Sequence, residues 1–204
     1  MFLLGLTGSI GMGKTTVAAM FMRQDVPVLS ADEVVHELYA PNGAAVKPLG
    51  EAFPGCIVNA AVSRPHLSQQ IIADKAALLR LEAIVHPLVA EKRQAFLEAN
   101  RKANKALVVL DIPLLYETGA EKEVDAVVLV STSAEEQRQR VLDRPGMTAE
   151  KLDAILQRQM PDTEKQKQAQ HLINTGCSLE ATQQQVDKLI ADLSCSHGPT
   201  LGLR

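Results

Sequence analysis

The sequence has no tryptophan, and aromatic residues make up only 3% of the chain. Stacking platforms of the kind that bind single-stranded nucleic acid are therefore scarce. The formal net charge is −3, so the chain also lacks the basic excess typical of proteins that bind DNA or RNA nonspecifically. These two deficits argue against a nucleic-acid partner.

Cysteines and long apolar runs are also scarce. Cys56, Cys177 and Cys195 show neither the even count of a disulfide framework nor the spacing of zinc ligands. No apolar run approaches the roughly 20 residues that a membrane helix needs. The first apolar run follows no basic segment and leads into a glycine-rich loop, which favours a strand over a signal peptide. We therefore expect a cytoplasmic protein with reduced thiols and no membrane partner.

The rest of the composition is that of a globular protein. The chain has 204 residues, of which 46% are hydrophobic. This length suffices for one domain with modest insertions and should bury about 70% of the unfolded surface.

The most informative stretch joins a strand pattern to a helix pattern through a glycine-rich loop. The apolar run Phe2–Leu6 precedes Gly8-Ser-Ile-Gly-Met-Gly-Lys-Thr15, a full match to the loop that cradles nucleotide phosphates. In such a loop Lys14 reaches the β- and γ-phosphates, and the hydroxyl of Thr15 ligates Mg²⁺. The residues predicted to hold the nucleotide are Gly11, Met12, Gly13, Lys14, Thr15 and Thr16. The alternative is a glycine-rich turn with an exposed lysine.

A carboxylate follows the second predicted strand. After the strand Val26–Leu29, the pattern from Ser30 to Tyr39 predicts a helix with Asp32 near its start. Because ligands bind at the carboxyl ends of parallel strands, Asp32 is a candidate catalytic acid. It could equally be an acid that only favours the helix dipole. His36 shares a helix face with it, although taken alone it is more typical of a surface or partly buried histidine.

Residues 42–105 lack convincing strands and are more numerous than a plain crossover needs. Helical patterns cover Leu67–Ile72, Lys75–Val85 and Pro87–Ala103. The segment therefore predicts a helical insertion that carries the second substrate. The cationic candidates for contact with an anion are Arg64, Arg80, His86 and Arg93, each of which alone is more typical of a solvated charge.

The run Ala106–Leu110 predicts a strand buried on both faces, and it ends in Asp111. An aspartate at the end of such a strand, downstream of a phosphate loop, is typical of a metal-binding carboxylate. A capping or turn aspartate is the alternative. Further strands are predicted at Asp125–Val130 and His171–Asn174, and a final helix from Ser178.

An arginine-bearing helix follows the strand Asp125–Val130. Ser133 and Glu136 form a capping-box pattern at its start, and Arg140 and Arg144 share one face. Pro145-Gly146 breaks the helix, and a short helix is predicted over about 148–159. This arrangement predicts a lid over a triphosphate, with arginine stabilising the transferred group. An ordinary exposed basic helix is the alternative.

Taken together, these motifs resemble the dephospho-CoA kinase family. The matching segments are Leu-Thr-Gly-Ser-Ile-Gly-Met-Gly-Lys-Thr-Thr at 6–16, Ala-Asp-Glu-Val-Val-His at 31–36, Leu-Glu-Ala-Ile-Val-His-Pro at 81–87, Asp-Ile-Pro-Leu-Leu-Tyr-Glu at 111–117 and Gln-Arg-Gln-Arg-Val-Leu-Asp-Arg at 137–144. Asn174 and Cys177 depart from the family's frequent Asp and Gly, which concerns the adenine side of the site.

The resemblance implies ATP-dependent phosphorylation of the 3′-hydroxyl of dephospho-CoA, with Mg²⁺. Asp32 would orient the hydroxyl and accept its proton, while Lys14 and Arg140 would neutralise the moving phosphoryl group. Arg144 would bind ATP, and Thr15 with Asp111 would hold the metal. The residues implied to line the dephospho-CoA side are Asp32, His36, Arg64 and His86. The protein is expected to be a monomer or weak homo-oligomer.

The expected fold is a P-loop NTPase-type three-layer α/β domain with a five-stranded parallel sheet. The core would comprise about 1–40, 104–144 and 161–193, with a helical insertion at about 41–103, a lid at about 145–160 and a mobile tail at 194–204. Two alternatives stay open at this point. They are another nucleoside-monophosphate-type or sugar kinase, and a non-catalytic ATP-binding regulatory module.

Overall fold

The computed structural model describes residues 1–72 and 74–196, and the side chains up to residue 194. The strands are β1 (Phe2–Thr7), β2 (Val28–Ser30), β3 (Ile57–Val58), β4 (Ala61–Val62), β5 (Leu107–Asp111), β6 (Ala126–Ser131) and β7 (His171–Asn174). The α-helices are α1 (Lys14–Arg23), α2 (Ala31–Tyr39), α3 (Val46–Ala52), α4 (Arg64–Ile71), α5 (Lys75–Lys102), α6 (Ala134–Leu142), α7 (Ala149–Leu156), α8 (Asp162–Gln168) and α9 (Leu179–Ser196).

The chain forms two compact units. The sheet unit comprises Met1–Val28 and the chain from Asn100 onward, and the helical unit comprises Leu29–Ala99. The sequence places the boundary of the insertion later, at about residue 41. The difference arises because Val34 and Leu38 of α2 pack in the core of the helical unit.

A five-stranded sheet in the order β2-β5-β1-β6-β7 confirms the predicted α/β fold. The pairs β1–β5, β1–β6 and β6–β7 are parallel. All residues of β5 and β6 are buried, which explains why these strands read as continuous apolar runs in the sequence. The register pairs Leu6 with Asp111, so β5 ends beside the start of the phosphate loop.

The core of the sheet unit lies between the sheet and the helices α1 and α9. Phe21 of α1 and Val186 of α9 are fully buried beside Leu4 and Leu6 of β1. Burial of a side chain of this size contributes about 1.5–3 kcal/mol. This layer holds α1, and with it the phosphate loop, against the carboxyl end of β1.

The helical unit has its own core, formed by residues such as Leu38, Leu49, Phe53 and Leu67. The prediction that residues 42–105 lack strands is wrong in one place, because β3 and β4 form a short antiparallel hairpin. Its turn residues Asn59 and Ala60 both have positive φ. Alanine rarely adopts this conformation, so the sequence does not predict a turn here. Helix α3 was also not predicted, since Pro48 and Gly50 lie inside it.

The predicted break before Pro87 is wrong, because α5 runs without interruption from Lys75 to Lys102. Proline removes one helical hydrogen bond, which leaves the carbonyl of Ala83 without its usual donor. Both Ala83 and Pro87 are exposed, so water can satisfy that carbonyl.

Helix α9 continues to Ser196, about one turn past its last buried residue, Leu193, and so includes residues 194–196 of the tail predicted to be mobile. Residues 197–204 of that tail lie outside the described chain. Among the described residues, no helix has the length and apolarity to span a membrane.

Candidate functional site

The phosphate loop connects β1 to α1, and two of its glycines have backbone conformations that other residues rarely adopt. Gly11 has φ +80° and Gly13, the N-cap of α1, has φ +88°. A Cβ on Gly11 would lie 2.5 Å from Val141 Cγ2. Glycine at these positions therefore allows the loop to turn tightly into the start of α1.

Several amide groups of this loop have no acceptor in the described part of the chain. They belong to Gly11, Gly13, Lys14 and Thr15. Unpaired N–H groups at the start of a helix, together with the helix dipole, favour an anion. The N–H of Met12, by contrast, donates to the carbonyl of Ser9 at 3.2 Å. Its side chain is buried in the core of the sheet unit.

Lys14 contacts Asp111, the carboxylate predicted to bind the metal, since its Nζ forms an ion pair with Oδ1 of Asp111. Asp111 is only 5% exposed. The structure thus brings together two residues that the sequence assigns separately to phosphate and to metal. Thr15, the other predicted metal ligand, lies in the first turn of α1 and is exposed.

A cavity of about 440 Å³ lies next to the loop, which is within the usual range for small-molecule sites. Its lining includes the predicted nucleotide residues Gly11, Gly13, Thr16, Arg140 and Arg144. Sequence reasoning missed Thr175, Leu179 and Thr182, and it noted Cys177 only as a departure from the family pattern. These residues follow β7, where no recognised motif marks them.

Arg140 is held by hydrogen bonds on two sides. Its Nη1 and Nη2 donate to Oγ1 and the carbonyl oxygen of Thr175, at 3.0 and 2.7 Å. Its Nε donates to Glu136 at 3.1 Å, one helical turn earlier in α6. These hydrogen bonds fix the orientation of the guanidinium group. Arg144 lies just beyond α6 and is exposed.

The segment predicted as a lid contains α7, which begins after the predicted break. Thr148 caps this helix, accepting a hydrogen bond from the N–H of Lys151 at 3.3 Å. Beyond α7, Oε1 of Gln159 accepts a hydrogen bond from the N–H of Ile10 at 3.2 Å. The end of the predicted lid therefore contacts the phosphate loop directly.

The predicted acceptor residues lie in the helical unit. Asp32 and His36 are exposed on α2, where Ser30 caps the helix by accepting a hydrogen bond from Glu33 N–H. Spacings of four and three residues put Asp32, His36 and Tyr39 on one face. The guanidinium carbon of Arg64 lies 5.6 Å from the Tyr39 ring centroid, so the structure brings Arg64 to this helix.

The remaining cationic candidates lie in α5. His86 is exposed on α5. Arg80 stacks over Phe53 at 5.5 Å, and Arg93 is partly buried in α5.

A buried ion pair lies beside the predicted lid. Nζ of Lys165, in α8, lies 2.8 Å from Oε1 of Glu117, and Lys165 is fully buried. The same oxygen accepts a hydrogen bond from the N–H of Met160 at 2.7 Å. Glu117 thus fastens both the end of the predicted lid and α8 to the loop after β5. Sequence reasoning missed this role, because a lysine in a polar helix carries no signal of burial.

The pKa of Glu117 reflects competing effects. Burial raises it, but Lys165 and the Met160 N–H outweigh burial, so the pKa lies below its ordinary value. A lowered folded-state pKa stabilises the fold above the unfolded pKa, and this stability is lost as pH falls through the folded pKa.

Replacement of Lys165 with Met should lower the free energy of unfolding by about 3 kcal/mol at pH 7, because a buried carboxylate loses its partner. We take the low end of the usual range since the Glu117 side chain retains 15% exposure. Urea unfolding at pH 7 and pH 4 measures the effect. The deficit should shrink at pH 4, and Glu117→Gln added to Lys165→Met should recover part of it. An equal deficit at both pH values would contradict this account.

Comparisons with known proteins identify the family to which this sequence is similar. The sequence model of the dephospho-CoA kinase family matches residues 2–180. A dephospho-CoA kinase of Mesorhizobium japonicum is 52% identical over 198 residues, covering 97% of this chain and 100% of that protein.

Two solved structures are also similar to this chain. The crystal structure of a Thermus thermophilus protein superposes with a TM-score of 0.80 and 33% identity, covering 94% of this chain and 97% of that one. A Campylobacter jejuni dephospho-CoA kinase superposes with a TM-score of 0.63 and 23% identity, covering 94% and 96%.

Proposed function

Because the chain belongs to the dephospho-CoA kinase family, we propose that it transfers the γ-phosphoryl group of ATP to the ribose 3′-hydroxyl of dephospho-CoA. The products are CoA and ADP, and the reaction is the last step of coenzyme A biosynthesis. The observation that carries the proposal is the cavity of about 440 Å³ between the phosphate loop and the two arginines, Arg140 and Arg144.

The nucleotide half of the site is built from main-chain and cationic groups. The amides of Gly11, Gly13, Lys14 and Thr15, which have no acceptor among the described residues, bind phosphate oxygens at the positive end of α1. Nζ of Lys14 binds the β- and γ-phosphates. Arg140 stabilises the negative charge on the transferred group, and binding and orientation supply most of the catalysis.

Mg²⁺ fits the donors present. The carboxylate of Asp111 and the hydroxyl of Thr15 are hard oxygen ligands, and Mg²⁺ is usually bound through one or two carboxylates together with substrate phosphates. When bound, the ion neutralises charge on the phosphate oxygens. Among the described residues, no cluster of three or more His, Cys, Asp or Glu forms an all-protein metal cage.

The acceptor half uses the exposed face of α2. Asp32 accepts the proton of the 3′-hydroxyl. His36 and Arg64 bind anionic groups of the acceptor, a role supported by the stacking of Arg64 on Tyr39 of the same face. His86 is assigned to the same substrate.

An acceptor panel tests the proposal. ADP release is measured with dephospho-CoA, AMP, GMP, UMP, shikimate or gluconate, each at the same concentration. Dephospho-CoA should be turned over fastest, and mass spectrometry with phosphorus NMR should locate the new phosphate at the ribose 3′ position. Faster turnover of another acceptor would support a related kinase, and ADP release independent of every acceptor would point to a regulatory module; either result would refute the proposal.

A further inference from the structure

Thr175 is a buried threonine directly after β7 that contacts both the phosphate loop and Arg140. Its backbone is fixed, because its N–H donates to the carbonyl of Ser131 at 2.9 Å and extends the pairing of β7 with β6. Only 7% of the residue is exposed. Its position is therefore set by the sheet rather than by the loop it touches.

The side chain of Thr175 is tied to the phosphate loop. Its hydroxyl donates to the carbonyl oxygen of Met12 at 2.7 Å. A Cβ on Gly13 would lie 3.2 Å from Oγ1 and 3.3 Å from Cγ2 of Thr175, so this side chain also packs against the N-cap of α1. The side chain of Thr175 thus contacts Met12 and Gly13, the last two residues of the loop before α1.

The same hydroxyl orients Arg140. A hydroxyl has a single proton, which is directed to Met12, so Oγ1 must act as the acceptor for Nη1 of Arg140 at 3.0 Å. The carbonyl of Thr175 accepts from Nη2 at 2.7 Å, and the two bonds together fix the plane of the guanidinium group. For the second N–H of Nη1 no acceptor is found in the described chain, and Arg140 lines the cavity.

We infer that Thr175 is a positioning residue that couples the phosphate loop to Arg140, so that the guanidinium group is held in place for the transferred phosphoryl group. The inference rests on the proposed phosphoryl transfer. Its distinctive consequence is that the hydroxyl affects the transition state more than ATP binding, because it contacts only the peptide unit that carries the Gly13 amide, while the amides of Gly11, Lys14 and Thr15 belong to other peptide units.

Thr175→Val tests the inference, because valine keeps the branched shape and removes only the hydroxyl. We expect kcat to fall about 10- to 100-fold, as is typical of a small displacement of a catalytic group, while the KM for ATP changes less than about 3-fold. Thr175→Ser keeps the hydroxyl and should remain within about 3-fold of the parent in kcat. Equal loss in the serine and valine variants, or no loss in valine, would overturn the inference.

Two controls separate positioning from stability. Val186→Ala removes buried volume from α9, away from the cavity, and should lower the melting temperature without lowering kcat at a temperature where the protein is folded. In an Arg140→Met background, Thr175→Val should cost no further kcat, since the threonine acts through the arginine. If Thr175→Val lowered kcat by the same factor in the Arg140→Met background as in the parent, the inference would be overturned. Turnover by the parent tests the proposed function separately, because the inference depends only on ratios between variants.

Discussion

Replacement of Arg140 with Met should lower kcat about 10³- to 10⁵-fold, the range found when an arginine is absent from a phosphoryl-transfer site. The guanidinium group is oriented by Thr175 and Glu136 and lines the cavity beside Gly11 and Gly13. Because its charge acts mainly on the transition state, the Kd for ATP should change much less than kcat. Single-turnover kinetics with dephospho-CoA, combined with ATP binding by calorimetry, measures both quantities.

Arg138 provides a matched control on the same helix. It pairs with Asp153 of α7 at 3.4 Å and does not line the cavity. Arg138→Met therefore removes one positive charge from α6 but should leave kcat within about 3-fold of the parent, since an exposed ion pair contributes little. If Arg140→Met retained more than about a tenth of the parent kcat, the assigned role of Arg140 would be wrong.

Replacement of Asp32 with Asn should lower kcat about 10²- to 10⁴-fold, the usual contribution of a positioned general base. Asparagine keeps the size of the side chain and can still contact the hydroxyl, but it cannot accept the proton. ATP binding should be retained, because every loop amide and Lys14 remain. The measurement is steady-state kinetics with varied dephospho-CoA, together with ATP binding to the same variant.

Glu33→Gln is the control for Asp32→Asn. Both changes remove one negative charge from the first turn of α2, so both lose the same small interaction with the helix dipole, a few tenths of a kcal/mol. We expect kcat of Glu33→Gln to stay close to that of the parent. Similar losses in the two variants would assign the effect to the helix rather than to proton transfer.

Much of the nucleotide half could be predicted from sequence because its signals are local. The strand, the loop and the helix of residues 2–23 are contiguous, and glycine is required where φ is positive at Gly11 and Gly13. Strand β7 and the buried stripe of α9, formed by Val186, Leu189 and Leu193, also follow from short periodic patterns.

The helical unit was harder to predict because tertiary packing overrides local propensity there. Pro87 predicts a break, yet α5 continues past it, since the proline lies on an exposed side and the helix is held by buried residues such as Val85. The β3–β4 hairpin has only two residues in each strand, too few to show alternation.

By itself, the amino-acid sequence determined the phosphate loop, the strands that carry it and the family to which the site belongs, because each depends on residues close together in the chain. The tertiary structure alone decided which groups meet. Lys14 pairs with Asp111 across 97 residues, and Thr175 reaches Met12 across 163. Such contacts arise from the parallel order of the strands, which brings distant carboxyl ends to one edge, and no periodicity along the chain records them.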